Sequence, residues 1–468
     1  MGQIAVVVYV LLEIAALYCA WRAVSSARTS QSAVGWVVLL LAAPHIGLPL
    51  YLFLGHHKYR GYTISRRESE RVIAGVRRAA EVNAPETPTA IDPKPFEQIS
   101  ALPAVRGNSF TPLIDGQATF QAIFNAIDGA ESYILVQFYI VHDDELGSEL
   151  KDRLIAAAKR GVSVRFMVDA IGSHALPESY YELLREAGVR VTDRRGSNRP
   201  KHRFQLNFRN HRKTVIVDGV IGFTGGLNVG DEYMGRDAFF GHWRDTHVAL
   251  RGPIVAQLQI VFAEDWHWAT GDTQYDELEW RPARVSEDMT GLIVATGPGD
   301  EMETGALFFF SAIAAAQKRL WIASPYCVPE SDVRTALMHA AIRGVDVRLL
   351  LPEVVDHRIP WLAAFAYFDE LRAAGVQIWR YNDGFMHQKV VLVDNDLAAI
   401  GTTNLDNRSF RLNFEAMAVV FDSRAAGEVA TMLEADFSKA FLLEKQLADQ
   451  SQYIRYGAPF ARLFAPLL

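Results

Sequence analysis

One pattern occurs twice in this chain and constrains its fold more than any other feature. His211, Lys213 and Asp218 stand in the order His-x-Lys-x4-Asp, and His387, Lys389 and Asp394 repeat it. Gly225 and Asn228 follow the first copy at the same offsets at which Gly401 and Asn404 follow the second. The likeness extends well beyond the motif. Ala156–Arg165 matches His339–Arg348, and Tyr181–Arg190 matches Phe368–Gln377. Tyr133–Phe138 corresponds to Arg319–Ser324, and Phe262–Trp266 to Leu433–Phe437. Each unit alternates helical and strand-like segments, which predicts an α/β architecture. Gly161, Gly188, Gly344 and Gly375 stand where helices would close in a left-handed conformation. Two such units imply a pseudo-twofold pair of domains within one chain.

The motif is expected to open a strand, because Arg212–Val217 and Gln388–Val393 are rich in β-branched residues and too short for helices. Side chains alternate faces along a strand, so His211 and Lys213 share one side, as do His387 and Lys389. Asp218 and Asp394 belong to the same catalytic signature, but parity turns them to the other face and makes them structural partners. An imidazole is a competent nucleophile or proton donor near neutral pH. A lysine beside it supplies charge for a phosphate oxygen. Two half-sites of this kind can attack a phosphodiester: one histidine forms a phosphohistidine while the other protonates the leaving alkoxide. The lysines, with Asn228 and Asn404, stabilise the phosphoryl oxygens. Each imidazole needs a carboxylate to set its tautomer. Glu415 is the candidate in the second half and Asp245 its analogue in the first. No His/Cys/Asp cluster has metal-ligand spacing, so no metal or other cofactor is implied. His202 and His242 flank the first motif, and Arg203, Arg209 and Arg212 read as solvated surface.

The hydrophobic residues, half of the 468, are concentrated at the N-terminus. Ile4–Trp21 and Ala33–Leu54 are apolar runs near the ~20 residues a helix needs to cross a bilayer. They are read as a transmembrane hairpin, with Pro44, Gly47 and Pro49 leaving room for a kinked or re-entrant second segment. Lys58, Arg60, Arg66, Arg67, Arg71, Arg77 and Arg78 follow the second run. The positive-inside rule then places the remainder in the cytoplasm. The only cysteines, Cys19 and Cys327, give no disulfide framework. The net charge of −7 argues against a non-specific nuclease and against nucleic acid as a partner. A Pro-rich segment from Asn83 to Pro95 reads as a linker. The expected organisation is a membrane hairpin over 1–57, a basic juxtamembrane segment and linker over 58–107, and repeated domains over 108–280 and 281–468.

The duplicated motif resembles that of the phospholipase D superfamily, whose signature is His-x-Lys-x4-Asp-x6-Gly-Ser-x-Asn in two copies. The chain departs from it at the Ser, with Gly226 and Thr402 in that place. Within the superfamily the chain resembles the bacterial cardiolipin synthases over nearly its whole length. The similarity lies in Trp36–Gly55, Asn207–His211, Gly225–Tyr233, Ser324-Pro-Tyr326 with Pro329, Gly401–Asp406 and Ala461–Leu468. The resemblance implies two tandem phospholipase D-like α/β domains behind a transmembrane hairpin, in the bacterial inner membrane. It implies condensation of two phosphatidylglycerols to cardiolipin and glycerol, with His211 as nucleophile and His387 as acid and base. Symmetry of the motifs does not itself distinguish the two histidines, nor one acceptor alcohol from another or from water.

Overall fold

The computed structural model describes residues 2–26, 30–55, 81–192, 208–272 and 277–468. The basic residues between 58 and 78, and also His202 and Arg203, lie outside them.

In the first half, strands β1 (Val105–Ile114), β2 (Tyr133–Phe138), β3 (Ser163–Val168), β4 (Arg190–Val191), β5 (Thr214–Val217), β6 (Ile221–Gly225) and β7 (Thr246–Arg251) form the series. The second half repeats it with β8 (Met289–Thr296), β9 (Arg319–Ala323), β10 (Asp346–Pro352), β11 (Gln377–Tyr381), β12 (Val390–Val393), β13 (Leu397–Gly401) and β14 (Asn413–Val420), then adds β15 (Ala440–Leu442). All join in one sheet of order β15-β11-β10-β9-β12-β13-β14-β8-β1-β7-β6-β5-β2-β3-β4, with Arg209–Asn210 pairing β14 off this path. The order reads alike from the centre outwards in both directions. The antiparallel β1–β8 pair lies at that centre, Val105 opposite Gly291. The pseudo-twofold relation expected from the repeat is therefore built into a shared sheet.

Helices cover both faces. Asp115–Asp128, Glu145–Lys159 and Glu178–Glu186 enclose the core of the first half, and Thr304–Ala315, Ser331–Ile342 and Arg358–Ala373 that of the second. The matched helices Ile254–Thr270 and Ser423–Ser438 contribute to a third core that both halves share. The glycines expected at helix ends all have positive φ: Gly161 +94°, Gly188 +90°, Gly344 +92° and Gly375 +100°. There a Cβ would be strained.

Two expectations change. The Pro-rich segment is not a free linker: Ile91 within it is buried in the core of the second half, and Phe96 just beyond it packs edge-on against Phe308 and Phe421. The second apolar run is not one spanning helix. Gly2–Ser26 forms a single helix, and its Val6–Ser26 portion is the one stretch among the described residues long and apolar enough to cross a membrane. The next run breaks into Ser30–Ala42 and Pro44–Leu54. Pro44 lacks an N–H to continue the first helix, and its ring drives Ala43 out of helical geometry (φ −144°, ψ 67°). The two pieces fold back on one another. The rings of Trp36 and Tyr51 lie 5.1 Å apart between centroids, whereas a straight helix would separate those positions by about 22 Å.

Candidate active site

Each motif lies where a strand of its own half meets a connection from the other. Arg209–Asn210 pairs in parallel with Asn413–Phe414, and Phe385–Met386 pairs in parallel with Trp243–Arg244. The backbone N–H of His211 then donates to the Phe414 carbonyl at 2.9 Å, and that of His387 to the Arg244 carbonyl at 2.8 Å. The regular ladder begins just after each lysine, at Thr214 and at Val390, slightly later than the sequence suggested.

This crossing settles the carboxylate partners and corrects the expected pairing. His211 Nδ1 lies 2.9 Å from Glu415 Oε2, and His387 Nδ1 lies 2.8 Å from Asp245 Oδ2. Each ring is therefore oriented by the carboxylate of the opposite half. An Nδ1–H given to a carboxylate leaves Nε2 with the lone pair. Lys213 Nζ donates to the His211 carbonyl at 2.7 Å, and Lys389 Nζ donates to the His387 carbonyl and lies 2.9 Å from His387 Nδ1. All six side chains are buried.

Burial dominates the electrostatics. It pushes both His211 and His387 down to about 4, with the neighbouring lysine charges acting in the same direction, so both rings are neutral at pH 7. Burial also lowers Lys389 to about 8 and Lys213 well below its usual value. Burial works against the ionised forms of Asp245 and Glu415 too, but it is outweighed, by Lys389 and His387 for the first and by His211 and Lys213 for the second. Both carboxyls thus stay below the ordinary range. An incoming phosphodiester adds negative charge that favours protonation of the lysines and of a donating imidazole.

The glycine of each copy allows a neighbouring strand to come close. A Cβ at Gly225 would lie 2.5 Å from His247 Cα, and one at Gly401 would lie 2.2 Å from the Ala416 carbonyl oxygen. Asn228 and Asn404 are buried beside the motifs. Asn228 Oδ1 accepts from the Ile140 N–H at 3.1 Å.

Asp218 and Asp394 do not join this group. Asp218 accepts the backbone N–H groups of Glu131, Ser132 and Tyr133, and Asp394 those of Gln317, Lys318 and Arg319. Both occupy positive φ, +54° and +51°. They fasten the turn after the motif strand to the start of β2 and of β9. Their placement among the catalytic residues gives way to the structural role that strand parity indicated.

Several other assignments shift. Arg212 is not solvated surface but a buried ion-pair partner of Asp265 at 2.6 Å. Asp436, its counterpart in the other half, is gripped across the halves by Arg244 through two bonds of 2.7 and 2.8 Å, and Gln388 adds a third at 2.9 Å. Asp265 and Asp436 occupy matching positions of the repeated helices, so the repeat was the signal that could have found them. His242 is partly exposed and pairs with Asp115. Tyr139, edge-on to His211 at 5.0 Å, and His247, whose Nδ1 accepts from the Leu227 N–H, escaped sequence reasoning because neither belongs to a motif. One trio, His142, Asp144 and Glu232, gathers potential metal ligands that no spacing revealed. Asp144 is engaged in capping the Glu145–Lys159 helix. Glu232 raises the His142 pKa by hydrogen bonding, which accounts for these groups as an ion pair and a cap.

A doubled histidine–lysine pair on a pseudo-symmetric α/β sheet defines a phospholipase D-like protein. A family model described as "Cardiolipin synthase, PLD-like domain" matches residues 123–266 and 309–439, and one described as "Phospholipase_D-nuclease N-terminal" matches residues 14–56. The chain belongs to the cardiolipin synthase family of PLD-like proteins. It is 45% identical over 481 residues to "Cardiolipin synthase A" of Pseudomonas aeruginosa, covering 100% of this chain and 96% of that one. The protein of that name from Pseudomonas fluorescens is 44% identical, with 98% and 97% covered. Among solved structures, the fold is similar to phosphatidylserine synthase of Haemophilus influenzae, with TM-score 0.60 and 14% identity, covering 80% of this chain and 99% of that one. The family and the apolar first helix make this a membrane-associated protein.

Proposed function

We propose that this chain is a cardiolipin synthase that moves a phosphatidyl group from one phosphatidylglycerol to the hydroxyl of another, releasing glycerol. The observation that carries this reading is the crossed pair of buried His–carboxylate contacts, joined to the full-length likeness to proteins named cardiolipin synthase A. In the first step Nε2 of His211 attacks phosphorus, forming a P–N bond while the P–O bond to glycerol breaks. His387 gives a proton to the leaving oxygen. In the second step His387 takes the proton of the incoming hydroxyl, its oxygen bonds to phosphorus, and the P–N bond breaks. Glu415 and Asp245 hold the two rings and balance the imidazolium that forms. Lys213, Lys389, Asn228 and Asn404 bind the phosphoryl oxygens. Assigning the nucleophile to His211 follows the family resemblance. Asp218 and Asp394 support the site from a distance.

The halves at 108–280 and 281–468 act as one unit, and the segment before them anchors it. The first helix crosses the bilayer, the folded-back pair Ser30–Ala42 and Pro44–Leu54 enters it, and the basic residues after residue 57 keep the catalytic part on the cytoplasmic side of the inner membrane. The direct test gives the purified full chain phosphatidylglycerol vesicles and separates the products. Cardiolipin and glycerol in equal amounts are expected. Phosphatidic acid as the sole lipid product would make the chain a hydrolase instead.

A further inference from the structure

The last helix, Gln452–Arg462, is two-faced in an unusual sense. Its small residues Gly457, Ala458 and Ala461 turn towards the protein, where the helix packs on Arg358–Ala373. On the opposite side Tyr453, Tyr456 and Phe460 recur at helical spacing, and Leu463 and Phe464 extend the stripe into the turn that follows. These side chains are large and apolar, yet Tyr456 is 61% exposed, Phe460 71% and Leu463 75%. A soluble surface rarely leaves such a contiguous stripe uncovered.

We propose that this stripe is an interfacial membrane-docking face that seats the mouth of the active site on the phospholipid surface. It rests on the reading that the substrate is a bilayer phospholipid. Three observations favour lipid over a protein partner. From Gln450 to Leu468 the chain holds Arg455 and Arg462 and no acidic residue. Aromatic and leucine side chains on one flank with arginines beside them match the chemistry of a helix lying in an anionic interface. The same chain already carries an apolar membrane helix, so the bilayer is at hand.

The third observation is the link to the site. The segment after the stripe is hydrogen-bonded to the one that follows the second motif. Asn407 Nδ2 donates to the Ala465 carbonyl at 2.9 Å, and the Arg408 N–H to the Leu468 carbonyl at 2.6 Å. Asn407 and Arg408 begin only three residues after Asn404. The charges of Arg408 and Arg209 both act on Tyr139, the ring packed against His211. Docking the stripe therefore brings the lipid surface towards the segment that carries Asn407 and Arg408, next to the second motif.

The test uses the full chain in vesicles of phosphatidylglycerol and phosphatidylcholine. A fluorophore is placed at Phe460→Cys in a Cys19→Ala chain, Cys327 being buried, with exposed Lys159→Cys as the comparison. Quenching by acyl-brominated lipid at position 460 but not at 159 is expected. Quenching at 460 only by aqueous iodide would overturn the proposal. Protection from both quenchers would also overturn it, because protein, such as a second copy, would then cover the face. This readout involves no turnover, so its failure is separate from failure of the product assay. The triple variant Tyr453→Ser/Tyr456→Ser/Phe460→Ser should raise the KM for vesicle lipid several-fold while leaving kcat in detergent micelles unchanged. An unchanged KM in vesicles would count against docking.

Discussion

Around His211, the carboxylate that orients the ring is pinned by side chains: Thr402 Oγ1 donates to Glu415 at 2.5 Å and Asn413 Nδ2 at 3.1 Å. Around His387 the corresponding place belongs to Gly226, and Asp245 is held by the backbone N–H of Thr246 at 2.7 Å. A Cβ on Gly226 would stand only 1.9 Å from Asp245 Oδ1. The halves differ elsewhere too. Asn228 Nδ2 reaches the Tyr233 hydroxyl at 3.3 Å, whereas the buried Oδ1 of Asn404 has no hydrogen-bond partner among the described residues. Tyr139 meets one imidazole, while Trp243 and Phe385 meet the other. Duplication preserved a position for a carboxylate, not the atoms that hold it. The Ser of the superfamily signature is replaced twice: by Gly226, where a Cβ would clash with Asp245, and by Thr402, which keeps the hydroxyl and gives it to Glu415.

The largest expected effect treats the halves as equal members of one site. His211→Ala and His387→Ala should each lower kcat by about a thousandfold or more, while circular dichroism and melting stay near those of the parent. Independent half-sites would instead retain about half the activity after either substitution, and that result would break the single-site reading. A phosphoenzyme trapped in the His387→Ala protein and absent from the His211→Ala protein would distinguish nucleophile from acid.

The halves should part company at the signature Ser. Restoring it as Gly226→Ser forces Asp245 aside, and we expect kcat to fall about a hundredfold or more. Thr402→Ala removes one hydrogen bond to a buried charge, worth about 1.5–3 kcal/mol, and should cost roughly tenfold to a hundredfold. A Gly226→Ser protein of normal activity would show that the second carboxylate tolerates movement.

Acid sensitivity sharpens the comparison further. His211 and His387 fall to about 4, and His247 to about 3, all mainly through burial. Between roughly pH 6.5 and 4 the unfolded chain binds these protons and the folded one does not. The stability they contribute is present above pH 6.5 and is lost as pH falls towards 4, so Tm should drop across that window. His211→Gln and His387→Gln should flatten the drop equally. Unequal flattening would mean that one half admits more water than the other.

The smallest effect on turnover belongs to the motif aspartates. Asp218→Ala and Asp394→Ala each strand several backbone N–H groups and should destabilise by about 1–3 kcal/mol, with kcat per folded molecule near normal. A kcat collapse at unchanged Tm would return these residues to the catalytic machinery.

Much of the architecture was legible because repetition and periodicity are written locally. The matched segments foretold the paired α/β halves, four glycines marked helix ends, and strand parity separated His and Lys from Asp. A helix break at Pro44 was legible as a kink, but the return of Tyr51 onto Trp36 was not, since it depends on packing between segments. Glu415 and Asp245 were legible as carboxylates near each motif. Their partners were not, because a carboxylate's choice of histidine depends on which loops cross, and nothing in a linear spacing encodes a crossing. Arg212 looked like surface for the same reason, its counter-charge lying on a distant helix.

Which residue types repeat, which of them share a strand face, and a chemistry of two histidines and two lysines can all be read along the linear chain. That each half lends its carboxylate to the other's histidine emerges only on folding. The physical reason is that periodicity fixes the direction of a side chain relative to its own backbone, whereas a hydrogen bond of 2.8 or 2.9 Å between halves exists only once the shared sheet has brought them into register.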